Sequence, residues 1–160
     1  MKNVKRIVVI LPTLRGGGAE RLHLNLAREW IAKGIRVEFA LLQREGELLG
    51  LVPEGATIHD LDVPRIRSSV LPLRRYLARA TPDVTIAAMW PLTLAAVVAW
   101  RLAGKPGKLL ISDHTQLSIA CLKELGTPRW LLSWSIRLLY PLASRVVAVS
   151  KGVKEDLCRL

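Results

Sequence analysis

The sequence predicts a single α/β domain: a parallel, doubly wound sheet covered by helices on both faces, a three-layer α/β/α arrangement. Three observations carry this. Arg6 to Leu11 (RIVVIL) is a continuous apolar run, as a strand buried on both faces of a parallel sheet requires. Further short β-branched runs alternate with longer segments of three-to-four apolar spacing. A glycine-rich break, Pro12 to Gly18, separates the first strand from the first helix. The 160 residues, 51% of them apolar, can build one core but not two ordinary ones, and they exclude a disordered chain.

The elements follow in order. A helix fits Ala19 to Lys33, where Leu22, Leu26, Ala27, Trp30 and Ile31 share a face and Gly34 supplies the stop. Ile35 to Leu42 reads as the second strand and Thr57 to Leu61 as a short third. A helix around Ser69 to Ala80 precedes a strand at Asp83 to Met89. The next helix runs from Pro91 to Gly104, with proline first and glycine last. Lys108 to Ser112 is a fifth strand. Thr127 caps a helix that has Pro128 at its first position and extends to about Ala143. Arg145 to Val149 is the sixth strand, and Ser150 caps a final helix reaching Leu160. Val84 to Trp100 carries no charge and approaches the length of a membrane span. Pro91 and the strand-type pattern before it favour a buried strand leading into a buried helix instead.

Two cysteines, Cys121 and Cys158, with no CxxC pair, point to a reducing compartment. Met1 to Leu11 shows no secretory cleavage pattern, so a cytoplasmic chain is expected. The charge is the informative feature: 24 Lys and Arg against 13 Asp and Glu give +11. Such an excess meets nucleic acid, a lipid headgroup or a phosphorylated substrate, or it serves solubility alone. Five of the eight aromatic residues are Trp. Few Phe and Tyr weaken a base-stacking platform, and no RRM, KH or helix-turn-helix pattern is present, so nucleic acid is not an expected partner. Trp with Arg suits a membrane–water interface. Two segments concentrate the charge. Arg65 to Arg79 holds Arg65, Arg67, Arg74, Arg75 and Arg79 without an acid, beside a Val70, Leu73, Leu77 stripe. Arg129 to Arg145 mixes Trp130, Trp134 and Tyr140 with leucines and arginines; burial in the core is favoured there over a lipid interface.

In open α/β sheets ligands bind outside the carboxyl ends of the strands, and Gly16, Gly17 and Gly18 lie there. Glycines permit close backbone approach, and the helix start offers unpaired N–H donors. The dinucleotide fingerprint fails, because Arg21 stands where its third glycine belongs; no Walker lysine follows either. No His, Cys, Asp or Glu cluster has metal-ligand spacing, so neither metal nor cofactor is expected.

Gly16-Gly17-Gly18-Ala19-Glu20-Arg21 after an apolar first strand resembles the GGAER loop of the family 4 (group 1) glycosyltransferases. Ser112-Asp113-His114-Thr115 after the fifth strand, and the Val146 to Leu157 segment leading into a Ser-capped helix, agree with that family in the same order. The resemblance implies the GT-B fold, two Rossmann-like domains facing a cleft, of which residues 1–160 would be the N-terminal, acceptor-side one. The C-terminal domain with its paired glutamates has no counterpart in this sequence, so residues 1–160 alone should not turn over. It further implies a retaining hexosyl transfer from a nucleotide sugar to a saccharide or lipid-linked hydroxyl, in cell-envelope polysaccharide synthesis on the inner face of the cytoplasmic membrane. His114 would support the reacting sugar. Arg15, Gly16, Gly17, Gly18, Glu20 and Arg21 would meet the donor phosphates or the acceptor, and the Arg65–Arg79 face an anionic lipid or lipid-linked acceptor. His23 and His59 read as structural. A Ser112–Asp113–His114 triad is not expected, because neighbours on a strand point apart. A non-catalytic module docking on a membrane or partner is the first alternative, and a nucleic-acid-binding domain, supported by net charge alone, is the second.

Overall fold

The computed structural model describes residues 4–120 and 128–160. Its sheet is six-stranded and parallel: β1 (Arg6–Leu11), β2 (Arg36–Leu41), β3 (Thr57–Asp60), β4 (Val84–Ala88), β5 (Lys108–Asp113) and β6 (Arg145–Ala148) in the order β3-β2-β1-β4-β5-β6. The register runs Ile7 to Val37 on one side of β1 and Ile7 to Val84 on the other. The chain winds outward in both directions from β1, so the strand order reverses between β1 and β4. This is the Rossmann-like, doubly wound architecture expected.

Alternation along the strands feeds two cores. Ile7, Val9 and Leu11 of β1 pack with Leu24 and Ala27 of α1 (Gly18–Ala32) on one face. Val8 and Ile10 pack on the other face with α2 (Val70–Ala80), α3 (Leu92–Leu102) and α5 (Arg129–Leu139), through Leu73, Leu77, Ala96, Trp100, Leu132 and Ile136. A short α4 (Leu117–Ala120) and α6 (Lys151–Arg159) meet near β6, where the Ser118 amide donates to Asp156 Oδ2 at 3.0 Å.

Element positions follow the sequence closely, with three physical differences. The helix begun at Arg129 ends at Leu139 and tightens into a 3-10 turn over Tyr140–Leu142, because Pro141 has no N–H to continue the ladder. Two further 3-10 turns, Glu47–Leu51 and Ile66–Ser68, and the four-residue α4 are too short to leave a periodic signal. Ser150 does cap α6, its hydroxyl accepting from the Val153 amide at 3.2 Å. The Thr127 cap and Cys121 lie outside the described residues. Val84 to Trp100 divides into β4 and α3, and among the described residues no helix is long and apolar enough to cross a membrane.

One buried charge is unusual for a strand. Glu38 of β2 is buried against α2, where it accepts from Arg6 Nε at 2.7 Å, Arg6 Nη2 at 2.9 Å and the Tyr76 hydroxyl at 2.7 Å. Burial pushes its carboxyl up, but the bonds from Arg6 and Tyr76 and the Arg6 charge outweigh this and hold it below the usual carboxylate range. His59 on the edge strand lies 3.4 Å from the same carboxylate.

Candidate functional site

The loops leaving β1, β4 and β5 converge on a cleft of about 450 Å³, lined by Gly17, Gly18, Glu20, Met89, Trp90 and His114 among others. These are the carboxyl ends of three adjacent strands, spanning the point where the strand order reverses.

The first wall is the glycine loop, which a neighbouring loop braces. The Leu14 amide donates to the Glu45 carbonyl at 2.9 Å, and the Leu48 amide to the Leu14 carbonyl at 3.0 Å. Gly46 makes this approach possible: it has φ +122°, and a Cβ there would sit 2.1 Å from the Leu14 carbonyl carbon. Gly17 has a different task. A Cβ on it would lie 2.3 Å from Glu20 Oε2, so its bareness lets that side chain fold back over the start of α1. Glu20 is buried there, and its Oε2 has no hydrogen-bond partner in the protein. The helix dipole favours the carboxylate at this end. Its presence changes the ligand chemistry that the loop suits. An anion entering beside Gly17 would meet the Glu20 carboxyl, a neighbour better suited to a hydroxyl donor.

The second wall is His114. Its Nε2 lies 3.0 Å from Ser112 Oγ, since residues two apart on a strand share a face. The two side chains therefore meet, which the exclusion of a triad by adjacency had not allowed for. Asp113 points the other way, as neighbours do. It accepts from the Tyr140 hydroxyl at 2.7 Å, and that hydroxyl lies 3.2 Å from Thr93 Oγ1. Asp113 is fully buried with Oδ1 unpartnered. Burial pushes its carboxyl up to about 6, against the opposing bond from Tyr140.

Behind His114 lies His23, ring centroids 5.6 Å apart. His23 is buried, and its Nδ1, 2.7 Å from the Ala19 carbonyl, must donate to it. Burial lowers the His23 pKa; burial and the His23 charge lower that of His114. Both imidazoles are neutral near pH 7. Sequence reasoning put His23 on the first helix but missed this contact; its place one turn into a helix that opens at the glycine loop was the available signal.

The remaining predicted residues lie elsewhere. Arg15 is exposed and pairs with Glu45 at 2.6 Å. Gly16 has φ +123° and packs beneath Glu47. Arg21 lines a shallow hollow with Asn25, Arg28 and Leu51. Arg65 and Arg67 flank the turn before α2, and Arg74, Arg75 and Arg79 are exposed on α2. Arg75 and Arg79 line a separate cleft of about 550 Å³ with Arg6, His59 and Asp60. These arginines do not join His114. Among the described residues no group of three His, Cys, Asp or Glu side chains could hold a metal ion.

Comparison with known proteins places this geometry in context. The model of Glycosyltransferase Family 4 matches residues 16–160. No curated protein matches the sequence. Among solved structures, the fold is similar to the apo form of lipopolysaccharide outer core galactosyltransferase WaaB, with TM-score 0.68 and 17% identity over 97% of this chain and 42% of that one. It is similar to Anabaena Alr3699/HepE in complex with UDP and glucose, with TM-score 0.65 and 16% identity over 97% and 41%. It is also similar to Acinetobacter baumannii MurG, with TM-score 0.63 and 15% identity over 93% and 42%. The chain thus spans less than half the length of each, and the likeness is one of fold.

Proposed function

The chain belongs to Glycosyltransferase Family 4, and on that premise we propose that it is the N-terminal, acceptor-side half of a retaining glycosyltransferase. The transfer moves a hexosyl group from a nucleotide sugar to a saccharide or lipid-linked hydroxyl. A second domain holding the nucleotide faces the carboxyl ends of β1, β4 and β5. UDP-hexoses are the first donors to test, since HepE was solved with UDP and glucose.

The observation that supports this reading best is the pairing of groups in the 450 Å³ cleft. Glu20, whose buried Oε2 has no partner, lines one wall, and a neutral imidazole lines the other. Sugar hydroxyls both donate and accept, so one such ligand satisfies both walls at once. Hydrogen bonds of this kind orient the reacting sugar, and in a cleft closed by a second domain they act in a water-poor setting where they are strongest. His114, held by Ser112 and backed by His23, gives a fixed contact to a sugar hydroxyl as charge develops at the anomeric carbon. The donor diphosphate is better served by the open helix start at Gly18, which has no atom within 4 Å of its Cβ position, than by Gly17. The basic Arg65–Arg79 face holds a phosphate-bearing or lipid-linked acceptor at the cytoplasmic membrane surface, and the likeness to a lipopolysaccharide outer core galactosyltransferase, WaaB, favours cell-envelope saccharides as the acceptor class.

The test uses this chain joined to its nucleotide-binding half. His114→Ala and Glu20→Gln should each lower kcat by about a hundredfold without lowering the melting temperature in step. Unchanged turnover in both variants contradicts the reading. So does robust transfer by residues 1–160 alone.

A further inference from the structure

The positive charge of this protein is not spread evenly. Helices α2, α3 and α5 share one face of the sheet, and they carry Arg74, Arg75, Arg79, Arg101, Arg129 and Arg137 without a single Asp or Glu. Helix α1, on the opposite face, sets Glu20 and Glu29 against Arg21 and Arg28, and α6 likewise mixes both signs. A surface whose charge serves only solubility intersperses its signs. These three neighbouring helices are acid-free, whereas α6, which packs on the same core through Leu157 and Leu160, carries Glu155 and Asp156.

The same three helices expose large apolar side chains. In α5, Leu132, Ile136 and then Tyr140 recur every four residues and enter the core. Trp130, Trp134 and Leu138, also four apart, take the opposite side and are 67%, 64% and 57% exposed. None of the three belongs to either core cluster. Leu71 of α2 and Leu102 of α3 are exposed as well, and Arg74 Nε donates to the Leu102 carbonyl at 3.2 Å, which ties the outward sides of α2 and α3 together. Arg129 and Arg137 flank the Trp stripe.

We propose that the outward face of the α2–α3–α5 layer docks on an anionic lipid bilayer. Trp130, Trp134 and Leu138 sit at the boundary between headgroups and acyl chains, and the arginines of the three helices lie against lipid phosphates. Charge selects this occupant among those that could cover an apolar stripe. A second copy placed face to face across α2, α3 and α5 would set three acid-free helices against three others, which like charge opposes. Nucleic acid would meet the arginines but leave the Trp and Leu stripe without an apolar counterpart. A bilayer supplies both chemistries at the depth where Trp and Arg partition. The proposal deepens the membrane part of the functional reading and rests on that part alone: it enlarges the Arg65–Arg79 surface to three helices and adds its apolar anchor.

The experiment is vesicle flotation with phosphatidylcholine alone and with added phosphatidylglycerol, together with tryptophan emission. The chain should float with the anionic vesicles only, with blue-shifted emission that high salt reverses. Trp130→Ser with Trp134→Ser should weaken partitioning by about tenfold and remove the blue shift. Arg75→Ser with Arg79→Ser should weaken it at low salt and lessen its salt dependence. All four positions are exposed, so circular dichroism melts should match the wild type. Failure of the wild-type chain to float overturns the proposal, as does flotation that neither pair of substitutions alters. Self-association abolished by the Trp pair, without flotation, assigns the face to a protein contact instead; duplex binding without flotation assigns it to nucleic acid. Sugar binding at the His114 cleft needs no lipid, so any of these results leaves the transferase reading to its own test.

Discussion

Replacing Asp113 by Asn isolates a fully buried carboxyl, one of whose oxygens lacks a partner. In the folded chain burial pushes this group up to about 6, while in the unfolded chain it titrates near ~3.9. The folded state therefore holds the proton more tightly, and the sign follows: Asp113 costs nothing below about pH 4, and its cost grows as pH rises through the folded value. At 1.36 kcal/mol for each pH unit of separation, the full cost is about 3 kcal/mol above pH 7. Asparagine mimics the protonated acid at every pH and keeps an acceptor for the Tyr140 hydroxyl, 2.7 Å away in the wild type. Urea denaturation of both chains between pH 4 and pH 8 reads the difference directly, because all other groups cancel. The two stabilities should converge near pH 4 and separate with rising pH, Asp113→Asn becoming the more stable. Parallel curves, or a wild type that gains on the variant as pH rises, would refute the assignment of a raised carboxyl.

Gly46→Ala forces a Cβ onto the Leu14 backbone at φ +122° and should cost about 3 kcal/mol. Gly34→Ala, at φ +76° but in open space, should cost about 1 kcal/mol; urea midpoints compare the two. Glu38→Gln removes the charge facing Arg6 and should cost about 2 kcal/mol at pH 7. Because the Glu38 carboxyl is held low, that difference is full above the usual carboxylate range and is lost progressively as pH falls from that range to the folded value, as pH-dependent melts will show. His23→Gln relieves one of the two causes that lower His114, burial being the larger, so the His114 midpoint should rise in an imidazole NMR titration. An unmoved midpoint would separate the two rings electrostatically.

The sheet was readable because RIVVIL and its fellow runs are apolar on both faces, which parallel strands between helices demand. Once the strands were placed, Gly17, Gly18 and His114 had to share a rim, since the carboxyl ends of parallel strands all lie on one side. What stayed hidden was set by distance along the chain. Arg6 and Glu38 are 32 residues apart, and only the β1–β2 register brings them together. Gly46 serves Leu14 through a loop contact that no local pattern encodes. Ser112 and His114 were within reach of period-2 reasoning, but that rule was applied to neighbours and not to residues two apart. For the Arg129–Arg145 segment the sequence favours burial in the core over a lipid interface. Only one side of α5 enters the core, and Trp130, Trp134 and Leu138 on the other side are exposed. The strand-to-loop alternation points to the rim from the sequence alone, while the burial of Glu20 beside Gly17 is visible only in three dimensions.

The central claim is that the rim between Glu20 and His114 receives sugar hydroxyls. Its most direct measurement is an NMR titration of the isotope-labelled 160-residue chain with UDP-hexoses and with simple glycosides. The account predicts saturable shifts at the Gly17 and Gly18 amides, the Trp90 indole and the His114 ring, with those signals lost from the response in Glu20→Gln. Shifts that gather instead around Arg6, Arg75 and Arg79, or a rim that responds to inorganic phosphate but to no sugar, would contradict it.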